Sequence, residues 1–181
     1  RVAASTPLPT MDLPEPLPTY KRPPAAWNTL DTRITRAQVA LPTAQSLQLM
    51  TLRPRFNVKS FAVEPMIGNI IDFTWDARGR MWAVETQDYP NNVLPDSVRG
   101  NDRILIIDDG NRDGQADRVT VFADGLNLAT SLAFANGGLM VAQAPHMIFF
   151  RDTNGDDKAD ERKILFTGFP RNDTHGSVSN L

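Results

Sequence analysis

The stretch RDTNGDDKADERKILFTGFPRNDTHGSVSNL, residues 151–181, combines an acidic loop, a short apolar run and a histidine. In the loop, Asp and Asn recur at alternate positions, and the run Ile164–Phe166 that follows is typical of a β-strand. The segment DGNRDGQAD, residues 109–117, has the same acidic pattern, and the two loops begin 43 residues apart. A repeat of this length is typical of β-propeller blades, each of which is a four-stranded sheet.

The flanking residues extend the repeat on both sides of each loop. Ile104–Ile107 precedes the first loop and Met147–Phe150 precedes the second. Farther upstream, FTWDARGRMWAV (residues 73–84) is echoed by LAFANGGLMVA (residues 132–142), and both predict a strand, a glycine turn and a second strand. The pattern predicts that residues 56–181 are almost entirely antiparallel strand. The two hairpin turns are expected at Arg78-Gly79 and Asn136-Gly137.

The N-terminal part differs in composition, which sets a domain boundary between residues 1–43 and residues 44–181. Seven prolines among the first 26 residues exclude helix and sheet. They predict either an extended strap docked on a partner or a linker from a membrane anchor. A short helix is expected to start near Thr43 and to end before Pro54, with no helix after the first 50 residues. From Phe56 onward apolar residues alternate, which predicts that the strands begin there.

Composition and charge exclude several classes of protein. With 41% hydrophobic residues, 22% charged residues and a net charge of −2, the sequence is that of an ordinary globular chain without a basic patch for nucleic acid. No apolar run approaches the ~20 residues that a membrane-spanning helix needs. The absence of cysteine excludes disulfides and a covalently attached haem within this chain. The first residue is Arg1 rather than Met, which fits an exported protein that has lost its leader as well as it fits a fragment.

The two acidic loops are candidate calcium sites, because oxygen side chains at alternate positions of a tight loop gather around a hard cation. The candidate ligands are Asp109, Asn111, Asp113 and Asp117 in the first loop and Asp152, Asn154, Asp156 and Asp160 in the second. The carboxylate that closes an EF-hand loop at its twelfth position is absent, since Thr120 and Lys163 stand there. Asx turns without metal are therefore the alternative, and any bound calcium is expected to be structural.

Three stretches together carry a resemblance to a known family. They are GNIIDFTWDARGRMWAVETQDYP (residues 68–90), DGLNLATSLAF (residues 124–134) and the segment 151–181. Over about residues 44–181 the chain resembles the start of the bacterial membrane-bound dehydrogenase family, relatives of the sugar dehydrogenases that depend on pyrroloquinoline quinone (PQQ). The resemblance implies an all-β fold, namely the N-terminal blades of a six-bladed propeller whose remainder lies beyond this chain. It also implies a periplasmic or otherwise extracytoplasmic location, in some relatives at the membrane.

The resemblance implies a catalytic role for His175 and Asp173. In the sugar dehydrogenases the matching histidine takes the proton from the substrate hydroxyl as hydride passes to PQQ, and an aspartate beside it orients the ring or raises its pKa. Two positions depart from the family pattern. Thr174 separates the histidine from its aspartate, and Leu126 stands where the sugar dehydrogenases have a glutamine that helps to fix the cofactor. PQQ-binding residues are therefore unassigned in this chain, and a strand-edge histidine without a catalytic role is the alternative.

Two functions are expected. The first is a PQQ-dependent dehydrogenase that oxidises a sugar or another alcohol and passes electrons to a c-type cytochrome domain or subunit. The second is a non-catalytic propeller module that scaffolds an extracytoplasmic complex. A third class, a calcium-dependent lactonase-type propeller, would need a carboxylate at the central channel, for which Glu85 is the candidate. The strand exits at residues 85–89 and 143–146 are positions at which propellers place ligand contacts, and solvated loops without a ligand are the favoured alternative.

Overall fold

The structure, a computed structural model, describes residues 41–179 and Leu181. The strap or linker predicted for residues 1–43 lies, up to Ala40, outside the described residues. Helix α1 comprises Thr43–Gln48 and ends before Pro54, as predicted. None of its residues is buried, so it contributes little to the core. Among the described residues, no helix has the length and hydropathy to cross a membrane.

The described strands form two four-stranded antiparallel sheets. Sheet A consists of β1 (Ile70–Trp75), β2 (Met81–Glu85), β3 (Asp102–Asp108) and β4 (Arg118–Leu126). Sheet B consists of β5 (Ala129–Ala135), β6 (Gly138–Gln143), β7 (His146–Arg151) and β8 (Glu161–Thr167). Within each sheet the strands follow chain order, so each sheet is a simple meander of hairpins. The described part of the chain is thus nearly all-β, which confirms the predicted class.

The hairpin turns lie where the sequence predicts them. Between β1 and β2, Gly79 adopts a φ of +82°, and Asp76 Oδ1 accepts the backbone N–H groups of Arg78 and Arg80, each at 2.9 Å. Between β5 and β6, Asn136 has a φ of 48° and Gly137 a φ of 73°. Two successive left-handed residues match the twist of an antiparallel pair, which is why Asn-Gly favours this turn.

The two sheets pack face to face through one hydrophobic cluster. Trp82 and Ile106, which pair in register between β2 and β3, belong to it from sheet A. Val141 and Ile148, which pair between β6 and β7, belong to it from sheet B. Trp82 also packs edge-on against Phe122, with 4.6 Å between ring centroids. Full burial of such side chains contributes about 1.5–3 kcal/mol each, so this cluster is the main source of stability between the sheets.

The opposite face of sheet A is covered by the chain that precedes β1. There, Met81, Ala83, Leu105 and Ile107 form a second cluster with Phe61, Ala62, Ile67 and Ile70, among others. The backbone carbonyl of Phe61 accepts the N–H of Ala116 at 2.7 Å, which ties this segment to the loop after β3. The ring of Phe61 packs edge-on against Trp75, with 5.2 Å between the ring centroids.

A buried ion-pair network joins the two sheets at their hairpin ends. Arg80, 8% exposed, donates from Nε to Asp76 at 2.8 Å and from Nη1 to Asp157 of sheet B at 2.8 Å. Burial raises the pKa of Asp76, but hydrogen bonds from Arg80 and Trp82 outweigh it and hold that pKa below its ordinary value. Burial lowers the pKa of Arg80, but the hydrogen bonds and charges of Asp157 and Asp76 outweigh it and raise that pKa above its ordinary value.

The backbone repeats at the spacing of the sequence. In the first acidic loop, Arg112 has a φ of 61° and Gly114 a φ of 89°. In the second, the residues 43 positions later are Gly155, with a φ of 84°, and Asp157, with a φ of 63°. The two loops therefore share one conformation, although glycine occupies a different left-handed position in each.

The prediction that strands begin at Phe56 is wrong. Residues 50–69 contain no strand, and Phe56 is 68% exposed. An alternating pattern becomes a strand only where it pairs with the edge of another strand, whereas the segment containing Phe61 and Ile67 lies on the face of sheet A. Residues 56–181 are also less uniformly strand than predicted, because residues 86–101 and 168–179 form long loops.

The strand exit expected at residues 143–146 is present, but it is a tight turn. Strand β6 ends at Gln143 and β7 begins at His146, so Ala144 and Pro145 form a two-residue turn rather than an open loop. The equivalent connection in sheet A is the long loop 86–101. This is the largest departure from the repeat.

Candidate functional site

The long loops after β2 and after β8 meet at the end of the sheets where β5 begins. At this end Thr130 Oγ1 donates to the backbone carbonyl of Val178, and the N–H of Leu181 donates to Ser131 Oγ at 3.0 Å. These bonds hold the segment that carries His175 against sheet B.

His175 lies on this segment with its side chain 74% exposed. Its backbone N–H donates to Asp173 Oδ1 at 3.0 Å, and its Nδ1 lies 3.9 Å from the same oxygen. The second distance is too long for a hydrogen bond, so the bond to Asp173 is made by the backbone of His175 and not by its ring. The ring of Tyr89, from loop 86–101, packs edge-on against the imidazole with 5.8 Å between centroids. The structure thus brings the two predicted catalytic residues together and places Tyr89 beside them.

This arrangement suits proton transfer. A neutral imidazole is a base near neutral pH, and a nearby carboxylate stabilises the imidazolium that results. Because His175 is exposed, its ring is open to solvent.

Loop 86–101 is anchored by a fully buried carboxylate at the start of β3. Asp102 Oδ1 accepts the hydroxyl of Thr86 at 2.8 Å and the backbone N–H groups of Gln87 and Asp88, and its Oδ2 accepts the N–H of Ala129. These four donors satisfy the carboxylate without an ion-pair partner among the described residues, which is how a buried charge is tolerated.

A second buried carboxylate, Asp88, fixes the middle of the same loop. It accepts the N–H and side-chain amide of Asn101 and the amides of Asn92 and Asn127. Burial raises the pKa of Asp88, but these hydrogen bonds outweigh it and hold the pKa below the ordinary carboxyl value. The sequence analysis did not single out Asp88 or Asp102. Asp88 lies within the strand exit at residues 85–89 and Asp102 opens the buried strand β3, but neither residue has a sequence signal of its own.

Arg171 fastens the segment after β8 to the same loop. Its Nη1 donates to Asp96 at 2.7 Å, and its Nη2 donates to the carbonyl of Leu94 at 2.7 Å. His146 Nε2 lies 3.3 Å from the second oxygen of Asp96. The turn between β6 and β7, loop 86–101 and the segment of His175 therefore converge on one carboxylate.

Glu85, the candidate for a lactonase-type site, is engaged elsewhere. One of its oxygens accepts Arg103 Nε at 2.6 Å and the other accepts the N–H of Gly68 at 2.7 Å. Its side chain is 3% exposed. These contacts make Glu85 part of the structural framework of sheet A.

The eight predicted calcium ligands lie at the opposite end of the sheets from His175. In the first loop, Asp109 accepts the N–H groups of Asp113 and Gly114, and Asp117 accepts the N–H of Asn111. In the second loop, Asp152 and Asn154 accept N–H groups farther along the loop, and Asp156 accepts that of Lys158. Asp160 accepts the hydroxyl of Thr153 at 2.7 Å. The bonds of Asn154 and Asp156, each to the N–H two residues on, are those of Asx turns, and the others close the loops over longer spacings.

The donor set fits calcium in its chemistry, because every predicted ligand offers oxygen. Within the described residues, however, no three acidic or histidine side chains converge as a metal site. Calcium binding would therefore exchange N–H partners for the metal. At Asp152, desolvation raises the pKa, but the N–H groups of Gly155, Asp157, Asn154 and Asp156 outweigh it and hold the pKa below its ordinary value.

The described residues around His175 do not fit PQQ, which carries several carboxylates. A polar cleft of about 290 Å³ at this end is lined by Arg99, Arg162 and Arg171, among others. Arg171 pairs there with Asp96, and Arg99 with Asp124, so two of the three guanidinium groups are already neutralised. His175 does not line this cleft. Leu126, at the position of the family's glutamine, is fully buried in the cluster between the sheets and reaches no ligand.

Comparison with known proteins gives one match. A family model described as a domain of unknown function, DUF7133, matches residues 42–181. No curated protein matches the chain, and no solved structure does. The matched residues include both sheets and the segment of His175. The chain therefore belongs to the DUF7133 family.

Proposed function

We propose that this chain forms the N-terminal blades of a six-bladed, extracytoplasmic β-propeller that acts as a dehydrogenase on a sugar or another alcohol. The fold part of the proposal is supported by two successive four-stranded meanders whose acidic loops repeat at 43 residues. The first strands of the two sheets, β1 and β5, lie next to each other, as the inner strands of neighbouring blades do.

The way in which the sheets stack supports a ring. Met81 and Leu139 hold equivalent places, since Met81 pairs with Trp75 and Leu139 with Phe134 in the first hairpin of each sheet. Leu139 faces sheet A, whereas Met81 faces away from sheet B. Each sheet thus uses a different face towards its neighbour. Such heterologous stacking continues in one direction and closes into a ring when the rotation per unit allows it.

The observation that carries the catalytic part is the position of His175 at the loop end, beside Asp173 and Tyr89. In the proposed reaction the imidazole takes the proton of the substrate hydroxyl. Asp173 stabilises the imidazolium through its charge, and Tyr89 forms one wall beside the ring. The resemblance to the sugar dehydrogenases supports PQQ as the hydride acceptor and a c-type cytochrome as the next electron carrier, but the described residues supply no cradle for PQQ.

The test is turnover by a polypeptide that contains the complete propeller, reconstituted with PQQ. A positioned base typically contributes ~10²–10⁴-fold, so His175→Ala should lower kcat by that factor while KM and the melting temperature change little. His175→Gln is the companion variant, because it keeps a polar side chain of similar size. If the protein neither takes up PQQ nor reduces an artificial acceptor with a panel of aldoses and alcohols, the dehydrogenase proposal is rejected.

A specific observation favours the second candidate, a non-catalytic scaffold. Leu126 replaces the cofactor-contacting glutamine and is buried between the sheets. The guanidinium groups of Arg171 and Arg103 at the loop end are also bound to carboxylates. If the protein is a scaffold, it has no dehydrogenase activity for His175→Ala to lower. The substitution would instead weaken the capture of a partner protein.

Calcium has a structural role in this proposal. It would bind one or both acidic loops, at the end of the sheets opposite to His175, and would not take part in the reaction.

A further inference from the structure

His175 belongs to the segment after sheet B, but its aromatic neighbour comes from sheet A. The rings of Tyr89 and His175 lie 5.8 Å apart at an interplanar angle of 66°. Edge-to-face pairs of this kind have a preferred geometry, because the edge of one ring is attracted to the face of the other. The contact therefore restricts a side chain that is otherwise 74% exposed.

Tyr89 is itself fixed by hydrogen bonds that lead to a buried carboxylate. Its backbone N–H donates to Thr86 Oγ1 at 3.0 Å, and the Thr86 hydroxyl donates to Asp102 Oδ1 at 2.8 Å. Thr86 is 2% exposed and Asp102 is fully buried. The place of Tyr89 is thus determined by the start of β3 rather than by a freely moving loop.

The backbone of the His175 segment is held separately. Val178 and Leu181 are bound by Thr130 and Ser131 at the start of β5. Ser131 in turn donates to Asp72 Oδ2 of β1 at 2.8 Å. Sheet B therefore sets where the segment runs, while the direction of the imidazole is set where it meets Tyr89.

We infer that Tyr89 is a positioning residue for His175. The ring of Tyr89 holds the imidazole of His175 with Nδ1 towards Asp173, which leaves Nε2 for a substrate hydroxyl. The catalytic consequence rests on the proposed function, but the orientation of the ring does not. The orientation of the His175 ring follows from the contact between loop 86–101 and the segment after β8.

The test uses the fact that the chain has two histidines, His146 and His175. Labelling histidine with ¹³C at Cε1 gives two NMR signals, of which His146 serves as an internal control for the fold. In the unaltered chain we expect NOEs between the ring protons of Tyr89 and His175, and a ring-current displacement of the His175 signal. Tyr89→Phe should keep both. Tyr89→Leu and Tyr89→Met should abolish both while the His146 signal stays in place.

An unchanged His175 signal in Tyr89→Leu and Tyr89→Met would overturn the inference, as would the absence of the NOEs in the unaltered chain. In the complete propeller reconstituted with PQQ, Tyr89→Leu should lower kcat by up to ~10²-fold with KM nearly constant. Tyr89→Phe keeps the ring and should have a kcat close to that of the unaltered protein. If the NOEs between Tyr89 and His175 are present but neither the unaltered protein nor any variant shows turnover, the positioning of the imidazole stands and the proposed function fails.

Discussion

At the scale of single residues, the end of the sheets that carries loop 86–101 and His175 depends on buried carboxylates. These carboxylates have no ion-pair partner among the described residues. Asp102 is fully buried, and its four hydrogen-bond donors come from loop 86–101 and from the start of sheet B. A buried acceptor of this kind is costly to remove, because each donor left without a partner carries its own desolvation penalty.

We expect Asp102→Ala to lower the free energy of unfolding by about 3 kcal/mol, because the buried donors of Thr86 and Ala129 lose their acceptor. Urea denaturation measures the change. The matched control is Asp124→Ala, which removes a carboxylate that is 54% exposed and paired with Arg99. It should cost less than about 1 kcal/mol. Equal effects of the two substitutions would contradict the role given to Asp102.

A second residue-scale prediction concerns acid. The pKa of Asp88 in the folded protein lies below its ordinary value, because hydrogen bonds from Asn101, Asn127 and Asn92 outweigh the opposing effect of burial. The stabilisation is therefore complete above the unfolded-state pKa and is lost as the pH falls through the lower folded-state value. Stability measured from pH 7 downwards should decline below about pH 4. Asp88→Asn should be less stable at pH 7 and should show a shallower decline, and an unaltered slope would refute this account.

Tyr89 and Asp102 show why sequence reasoning, which names the strand exit at residues 85–89, misses the contacts that these residues make. His175 and Asp173 are two positions apart, so a local motif contains both. Tyr89 lies 86 positions from His175 and Asp102 binds Ala129 across 27 positions. Such pairs come together only through the packing of sheet A on sheet B, which no local pattern encodes.

At the scale of elements, Arg80 connects the first hairpin of sheet A to the acidic loop of sheet B. Its side chain is 10% exposed and Asp157 is 28% exposed. Arg80→Met should lower the free energy of unfolding by about 3 kcal/mol, since it leaves Asp76 and Asp157 without a cation. Arg118→Met is the control, because the Arg118–Asp108 pair is exposed and should contribute less than about 1 kcal/mol. Thermal and urea unfolding that rank the two variants equally would exclude an inter-sheet role for Arg80.

The acidic loops give a prediction about metal. If calcium exchanges for the N–H partners of Asp109 and Asp152, added Ca²⁺ should raise the melting temperature and a chelator should reverse the rise. Asp109→Asn and Asp152→Asn test the loops one at a time, and each should reduce the response without abolishing the fold. A melting temperature that is indifferent to Ca²⁺ and chelator would leave the Asx turns as the whole explanation of both loops.

The elements that the sequence predicts well are those with local causes. Asp76 and Gly79 fix the first turn through hydrogen bonds and a left-handed residue within a few positions, so the hairpin is predictable. The alternation from Phe56 lacks such a cause. It specifies which side chains share a face but not whether a strand edge is available, and the neighbouring segment covers sheet A instead.

At the scale of the whole molecule, the two outer faces of the stack carry exposed apolar side chains, on sheet A beside the part of that face that the segment preceding β1 covers. On the outer face of sheet A, Phe73 is 55% exposed and Trp75 is 48% exposed. On sheet B, Phe166, which pairs with Met147, is 65% exposed. Because neighbouring sheets use unlike faces towards each other, the proposed ring would cover both sets with different partners.

The last prediction tests this ring. In a polypeptide that contains the additional blades, hydroxyl-radical oxidation of Trp75 and Phe166 should fall several-fold relative to the 181-residue chain, because neighbouring sheets exclude water from both faces. Met50, 49% exposed and outside the sheets, should be oxidised equally in both and serves as the reference. Protection of Phe166 without Trp75 would indicate an open stack that extends from sheet B alone, because closure requires the outer face of sheet A to meet the last blade. If neither residue is protected, the additional blades do not pack on the outer face of sheet A or of sheet B. The six-bladed ring is then excluded, together with any active site at its centre.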